Sequence, residues 1–169
     1  MGVMILKLMF HIKAALKKCG YKLIYGKRLQ FGKKSTFRRR FYVYIEGDGR
    51  VNIGDDCFFN NGASLNSLSS ITIGDRCVFG EDVKIYDHNH KFRDLTRPVK
   101  DQGFSSKPVV IGSDTWVCSN CVILQGVTIG SHCVIGANCL VYKDVPDNTI
   151  VTNGAPMVMK SMSMNKEDQ

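Results

Sequence analysis

The sequence predicts an all-β fold, a single-stranded left-handed parallel β-helix with a short N-terminal helix and one protruding loop, on three observations. Aliphatic residues recur at every sixth position from Ile111, with Val117, Ile123, Ile129, Ile135 and Val141 following without a miss. Ile, Leu and Val fill roughly a quarter of the chain, so six in one frame have a chance probability on the order of 10⁻⁴. The position two before each of these is small or branched: Val109, Thr115, Cys121, Val127, Cys133 and Cys139. The same register returns upstream as Ile53, Phe59, Leu65 and as Ile73, Phe79, Ile85, and more weakly as Phe31, Phe37, Val43. Three hexads make one triangular turn, each giving a short strand and a corner, and about five stacked turns bury the aliphatic column.

In chain order, residues 1–28 read as a basic amphipathic helix and its connection. Apolar side chains at Met4, Ile5, Leu8, Met9, Ile12, Ala15 and Leu16 form a helical stripe, with Lys7, Lys13, Lys17 and Lys18 elsewhere. The stripe is expected either to pack on the coil or a neighbouring subunit, or to rest on an anionic membrane surface. Residues 1–40 hold twelve Lys or Arg and no acid, whereas the rest of the chain has eleven bases against fifteen acids. The net charge of +8 is therefore local. It points to an anionic surface or an acidic ligand at this end, and no nucleic-acid motif accompanies it. Lys7 interrupts the first apolar run, so no secretory signal is read, and no apolar run reaches the ~20 residues of a membrane span. A cytoplasmic setting with reduced thiols follows.

Residues 29–145 form the coil, interrupted by a loop at 86–108. Alternation along each strand puts the small and aliphatic positions inside and the residue between them outside. Cys57, Cys77, Cys121, Cys133 and Cys139 fall at the small inward position, where a thiol acts as a compact hydrophobe. Cys118 falls at a corner, and Cys19 lies outside the repeat. Gly54, Gly74, Gly80, Gly112, Gly130 and Gly136 share the corner position after the aliphatic residue, where glycine is expected for the backbone angles it tolerates. The outward row Trp116, Val122, Thr128, Val134, Leu140 predicts a partner surface. A homotrimer is the preferred account, with a ligand wall at Trp116 as the alternative. Residues 146–169 form a C-terminal segment over the last coil.

The period fails between Ile85 and Val109, and the intervening YDHNHKFRDLTRPVKDQGFSSKP is polar and rich in turn formers. A long excursion from a tight coil is more often functional than idle. His88 and His90 stand at its root.

This interrupted repeat, the run VVIGSDTWVCSNCVILQGVTIGSHCVIGANCLVYKDVP and the closing NGAPMVMK resemble the hexapeptide-repeat acyltransferases over roughly residues 50–160. The resemblance is to their sugar O-acetyltransferase branch: galactoside, maltose and xenobiotic acetyltransferases, and capsule or lipopolysaccharide O-acetyltransferases. It implies an acetyl-CoA-dependent O-acetyltransferase acting on a sugar hydroxyl of a surface polysaccharide or its precursor. The family keeps its catalytic histidine five residues past the last aliphatic before the loop, which is His90 here, with His88 as runner-up or substrate contact. Neutral imidazole suits removal of a hydroxyl proton at working pH. Transfer is expected to be direct, since no Ser or Cys nucleophile with a paired base is read. Asp87 or a backbone carbonyl would orient the base.

By analogy with the galactoside enzymes, Asn60 in FFNNG would serve the substrate or the oxyanion. Asn61 is the fallback, and a plain corner asparagine in left-handed geometry is the alternative. Acetyl-CoA would lie along the later coils against Trp116, Ser119, Gly136 and Ala137. Gly154 and Pro156 would stand near its pantetheine end, and Lys143 or Lys160 near its phosphates. Two departures touch that side: the family's frequent IGAG is IGAN at Asn138, and its usual GNPA is GAPM at Ala155 and Met157.

Three other functions stay open. A metal-dependent hydrolase or carbonic-anhydrase-like enzyme would need three protein ligands and an open position. His88 and His90 with Asp87 or Asp94 make three, but no further histidine sits at a matching place on an adjacent turn, and no metal is expected. N-acetylation of an amino sugar would use the same base and thioester. A non-catalytic trimeric scaffold would bind partners through its basic end.

Overall fold

The structure, a computed structural model, describes residues 2–154 and 158–161. The coil is a triangular solenoid of about six turns, of which the first five each give one strand to each of three parallel sheets. The first face stacks Leu29–Phe31, Arg50–Ile53, Ser70–Ile73, Val109–Ile111 and Thr128–Ile129. The second stacks Thr36–Phe37, Phe58–Phe59, Val78–Phe79, Trp116–Val117, Val134–Ile135 and Thr149–Thr152, and Val158–Ser161 closes it antiparallel. The third stacks Tyr42–Ile45, Ser64–Ser67, Lys84–Tyr86, Val122–Ile123 and Leu140–Val141. The register keeps the hexad frame across the loop, with Ile123 paired to Ile85 on one side and Val141 on the other. Counting hexads misses the last, incomplete turn, because Val145 comes four residues after Val141 rather than six. Val145 bridges Ile129 on the first face, and Thr149–Thr152 pairs with Val134–Ile135 on the second.

The inward positions form the core as the period requires, with Ile71, Phe79, Ile85, Val117, Ile123, Ile129 and Ile135 wholly buried. Each such side chain contributes roughly 1.5–3 kcal/mol by leaving water. In the early turns the core is aromatic: Phe37 stacks on Phe41 at 4.3 Å between centroids, and Phe59 on Phe79 at 4.4 Å.

The corners correct the sequence reading of the glycines. The six corner glycines do not adopt left-handed angles. A β-carbon at Gly112 would stand 2.5 Å from the Ser131 nitrogen, and one at Gly80 would stand 2.5 Å from the Ser119 nitrogen. Glycine is there so that one turn's backbone can lie on the next. The left-handed residue comes two places later, and asparagine, aspartate or a basic residue fills it: Asp56, Asp82, Asp114, Asn120 and Asn138 have φ of 54, 55, 57, 60 and 60°. Asn and Asp tolerate this region because their short polar side chains bond locally. The Asn138 departure from glycine therefore leaves the corner intact. At the corner after the first face, which includes Gly112, side chains extend the stacking as a ladder. The backbone nitrogens of Lys33, Asp55, Asp75, Ser113 and Ser131 donate in turn to Asp55, Asp75, Ser113, Ser131 and Asp147 of the following coil.

The inward cysteines are buried and unbridged, and they do more than fill space. Cys57 Sγ donates to the Gly74 carbonyl at 3.1 Å, Cys77 to Gly112 at 3.1 Å, Cys121 to Gly136 at 3.0 Å and Cys133 to Pro146 at 3.1 Å. Ser35 and Thr115 make the equivalent bonds to Gly54 and Gly130, at 2.6 and 3.0 Å. At these six positions the small inward residue thus holds a donor that satisfies a corner carbonyl of the next turn.

The N-terminal helix, Gly2–Tyr25, covers the open end of the first turn, but Met9, Ile12, Ala15 and Leu16 of its apolar stripe are exposed. Its packed side holds Ala14, Tyr21 and Tyr25, and the lysines on that side cap edge carbonyls. Lys17 donates to the Phe41 carbonyl at 2.5 Å, Lys18 to that of Ser35, and the Tyr21 and Tyr25 hydroxyls to Phe41 and Val43, both at 2.9 Å. Burial pushes the Tyr21 hydroxyl up to about 12. Its stabilising contribution is therefore complete below pH 10 and lost as the pH rises towards 12.

Gly112→Ala is expected to cost about 1–3 kcal/mol or more, since only backbone could move aside. Gly20→Ala, in the helix with nothing within 4 Å, should gain about 0.5–1 kcal/mol; urea melts compare the two. Cys77→Ala should lose about 1–3 kcal/mol and Cys77→Ser, which keeps a donor, distinctly less. Equal losses for the two would assign the role to the volume of the sulfur.

Candidate functional site

The interruption after Ile85 is not an irregular loop throughout. His88–His90 pairs antiparallel with Phe104–Ser106, so the two ends of the excursion form a short ribbon standing off the coil. Asp87 is the hinge between coil and ribbon. Its side chain is fully buried, and it gathers the corner that follows the third face one turn earlier. Ser67 Oγ donates to it at 2.7 Å, and the backbone nitrogens of Leu68 and Ser69 each donate at 2.8 Å. A buried carboxylate with that many donors is held rigidly.

The same carboxylate reaches one histidine, His88. Its Nδ1 lies 3.1 Å from Asp87 Oδ1, and with Nδ1 donating, a neutral ring leaves Nε2 as the acceptor. Phe104 packs edge-on to His88 at 5.5 Å and stacks in a tilted fashion on His90 at 4.4 Å. His90 is exposed, and among the described residues neither of its ring nitrogens has a hydrogen-bond partner. Asp87, named from the sequence as orienting group for His90, therefore contacts the neighbouring ring.

Two cavities flank the ribbon. One, of about 620 Å³, lies against Asn89, His90, Lys91, Arg93, Arg97 and Gln125. The other, of about 390 Å³, is lined by Tyr86, His88, Asn89, His90, Leu124, Gln125 and Tyr142. His90 is the titratable side chain common to both. Gln125 also lines both; its Nε2 donates to Ser105 Oγ at 3.2 Å, while its buried Oε1 has no partner. Tyr86, Leu124, Tyr142 and Gln125 escape the sequence reading. A signal for three of them exists: they follow the inward residues Ile85, Ile123 and Val141 at the third corner, where the coil carries bulky side chains instead of glycine.

The remaining sequence candidates sit elsewhere on the prism. Asn60 and Asn61 lie at the corner between the second and third faces, with Ser119, Gly136 and Ala137 on later turns of that corner. Asn60 does not have the left-handed angles of a corner asparagine; that position is Gly62, with φ of 80°. Asn60 Oδ1 accepts from the Asn61 nitrogen at 2.9 Å and from Arg38 at 3.4 Å. Asn61 Oδ1 accepts from the Arg39 nitrogen at 3.1 Å, and Ser119 Oγ accepts from the Glu81 nitrogen at 3.1 Å, so both tie turns together. Trp116 is half exposed on the second face. Lys143 lies over the Tyr142 ring at 5.5 Å, beside the smaller cavity. Gly154 is exposed beyond the last parallel strand. Pro156, with Ala155 and Met157, lies outside the described residues, as does the side chain of Lys160. Within one chain, the histidines and the second-corner group are thus on different edges of the prism.

Neither thiol of the pair Cys118 and Cys121 is activated. Cys118 and Cys121 have the spacing C-x-x-C, but Cys121 points into the core, and burial pushes its thiol up to about 11 and raises that of Cys118. Among the described residues no group of three His, Cys, Asp or Glu could hold a metal ion. Asp87, the nearest carboxylate to the histidines in sequence, is already engaged by three donors from the coil.

The profile of a family described as bacterial transferase hexapeptide (six repeats) matches residues 108–143. The chain is 32% identical over 142 residues to a probable acetyltransferase of Mycobacterium tuberculosis (strain ATCC 25618 / H37Rv), over 84% of this chain and 45% of that protein. It is 33% identical over 114 residues to the galactoside O-acetyltransferase of Escherichia coli (strain K12), over 68% of this chain and 55% of that one. The chain thus spans about half the length of these two relatives. Among solved structures, a hexapeptide-repeat-containing acetyltransferase of Vibrio cholerae O1 biovar eltor, complexed with acetyl coenzyme A, superposes with a TM-score of 0.74. The two are 32% identical, over 88% of this chain and 78% of that one.

Asp87→Asn turns an amide N–H towards one of the backbone donors at the hinge, and a loss of about 1–3 kcal/mol in urea unfolding is expected. Unchanged stability would mean that the hinge does not depend on this acceptor.

Proposed function

Since the chain belongs to the bacterial hexapeptide-repeat transferases, we propose that it is an acetyl-CoA-dependent O-acetyltransferase acting on a sugar hydroxyl of a surface polysaccharide or its precursor. The observation that carries the reading is His90, the one titratable group shared by the two cavities at the ribbon. One cavity takes the acceptor and the other the thioester. His90 removes the hydroxyl proton, the oxygen attacks the acetyl carbonyl, and the C–S bond breaks to release CoA as thiol. Relatives named as acetyltransferases, one of them of galactosides, support the reaction class.

The reading includes a homotrimer. The second-corner group of Asn60, Ser119, Gly136 and Ala137 cannot serve His90 of its own chain, being on another edge of the prism. A three-fold arrangement of coils would set that edge, and the exposed Trp116 and Leu140, against a neighbour's ribbon. Lys143 and Lys160 are assigned to the CoA phosphates in that groove, and Gly154 and Pro156 to its pantetheine. The proposed setting is the cytoplasm, with the basic N-terminus in contact with a membrane surface. No helix among the described residues is long and apolar enough to cross a membrane.

A second assignment of the base has its own observation. Asp87 holds His88 by Nδ1 as an orienting carboxylate holds a general base, which leaves Nε2 as the acceptor of a neutral ring. The two readings separate cleanly. Release of CoA thiol from acetyl-CoA over a panel of sugars and nucleotide sugars should fall about 10²–10⁴-fold in His90→Ala, with His88→Ala retaining activity and CoA still raising the melting temperature of both. Loss confined to His88→Ala would transfer the role to His88. A wild-type protein that neither releases thiol nor is stabilised by CoA would sink the enzymatic reading.

A further inference from the structure

The N-terminal helix is amphipathic in the unexpected direction. At 100° per residue, Ala14, Tyr21 and Tyr25 define the side packed on the solenoid, and Met9, Ile12, Leu16 and Leu23 lie opposite it. These four are 46%, 51%, 68% and 88% exposed, far more than the coil permits its inward aliphatics. They follow one another at intervals of three, four and seven residues, a continuous apolar stripe on the outermost surface of this end of the molecule. Lys13 and Lys22 flank the stripe about a quarter-turn to either side, and both are exposed. Arg38, Arg39 and Arg40 lie beside the same helix, around a cavity that also touches Phe10 and Lys13. The lysines that would otherwise complete a polar face, Lys17 and Lys18, are turned inward onto the carbonyls of Phe41 and Ser35.

Three kinds of partner differ in what they ask of this surface. A second copy would cover the apolar stripe but would bring twelve basic residues, with no acid among residues 1–40, against twelve more. A soluble polyanion would neutralise the lysines and leave the stripe in water. An anionic bilayer interface satisfies both, taking the apolar side chains into the boundary between headgroups and acyl chains while its phosphates meet the flanking bases.

We propose that residues 9–24 form a membrane-docking surface. The helix lies in the plane of an anionic lipid bilayer, with Met9, Ile12, Leu16 and Leu23 inserted, Lys13 and Lys22 at the phosphates, and the coil held on the aqueous side by Lys17, Lys18, Tyr21 and Tyr25. This specifies the membrane contact included in the reading above, and it is independent of which histidine is the base. The docked helix fixes the orientation of the coil at the surface, because its opposite side is bonded to the first turn at four points. An acceptor built on a lipid carrier would then be presented to the enzyme in two dimensions.

The test uses the full-length protein and sedimentation with vesicles of phosphatidylcholine alone or with phosphatidylglycerol. Binding to the anionic vesicles only is expected, weakening as salt is raised. The double variant Ile12→Glu, Leu16→Glu should reduce it by about tenfold or more, with thiol release on a soluble acceptor and the mass in solution both unchanged. Absence of wild-type binding, or binding that survives the double variant, would overturn the proposal. So would a change in mass of the variant in solution, which would make the stripe an interface between copies. Thiol release is read without lipid, so failure to dock and failure to catalyse are separate results.

Discussion

Every turn of this protein rests on the next at corners where backbone meets backbone with no room for a β-carbon. That closeness makes the period six residues and keeps it six. A side chain at Gly80 or Gly112 would hold two turns apart, and the parallel ladders on all three faces would lengthen together, since each strand of two to four residues has few hydrogen bonds of its own. The inward thiols and hydroxyls belong to the same contact. Carbonyls at these closely stacked corners would lack donors, and Cys57, Cys77, Thr115 and Cys133 supply them from the adjacent turn.

A scaffold this uniform offers nothing reactive until it is interrupted, and the interruption begins at a residue the coil itself fixes. Asp87 belongs to the coil by its bonds to Ser67, Leu68 and Ser69 and to the site by its bond to His88. The ribbon therefore leaves the solenoid in a defined direction, and its far strand brings Phe104 against both imidazoles. The geometry at the root is rigid, while His90, one alternation further out, is left accessible. The proposed division of labour between the two histidines follows from that difference: one is positioned, the other is open to both cavities.

The helix shows the same logic at the other end of the coil. The first turn has no preceding turn to supply donors, so carbonyls at Ser35, Phe41 and Val43 would face water or nothing. Lysine and tyrosine side chains satisfy them, which turns Lys17 and Lys18 inward and leaves Leu16 and Leu23 outward. Ordinary amphipathic reasoning assumes that the apolar side seeks the core. Here the core is already closed by Phe37 and Phe41, and what the open end needs is hydrogen-bond donors.

The sequence by itself determined the coil: the six-residue frame, the inward column, the burial of five cysteines and the position of the break, because all of these follow from a period that local spacing displays. It also brought forward His88, His90 and Asp87, since a break in a strict repeat is visible without coordinates. The tertiary structure decided what depends on neighbours a full turn away. It set the reason for the corner glycines, the choice of His88 rather than His90 by Asp87, the column of Tyr86, Leu124 and Tyr142 beside the histidines, and the outward direction of the helix stripe. In a solenoid, residues in contact are separated by about eighteen positions or, across the excursion, by thirty-eight, as between Arg76 and Asp114. A linear pattern records which face a residue takes, and only the stacking of turns decides what stands opposite it.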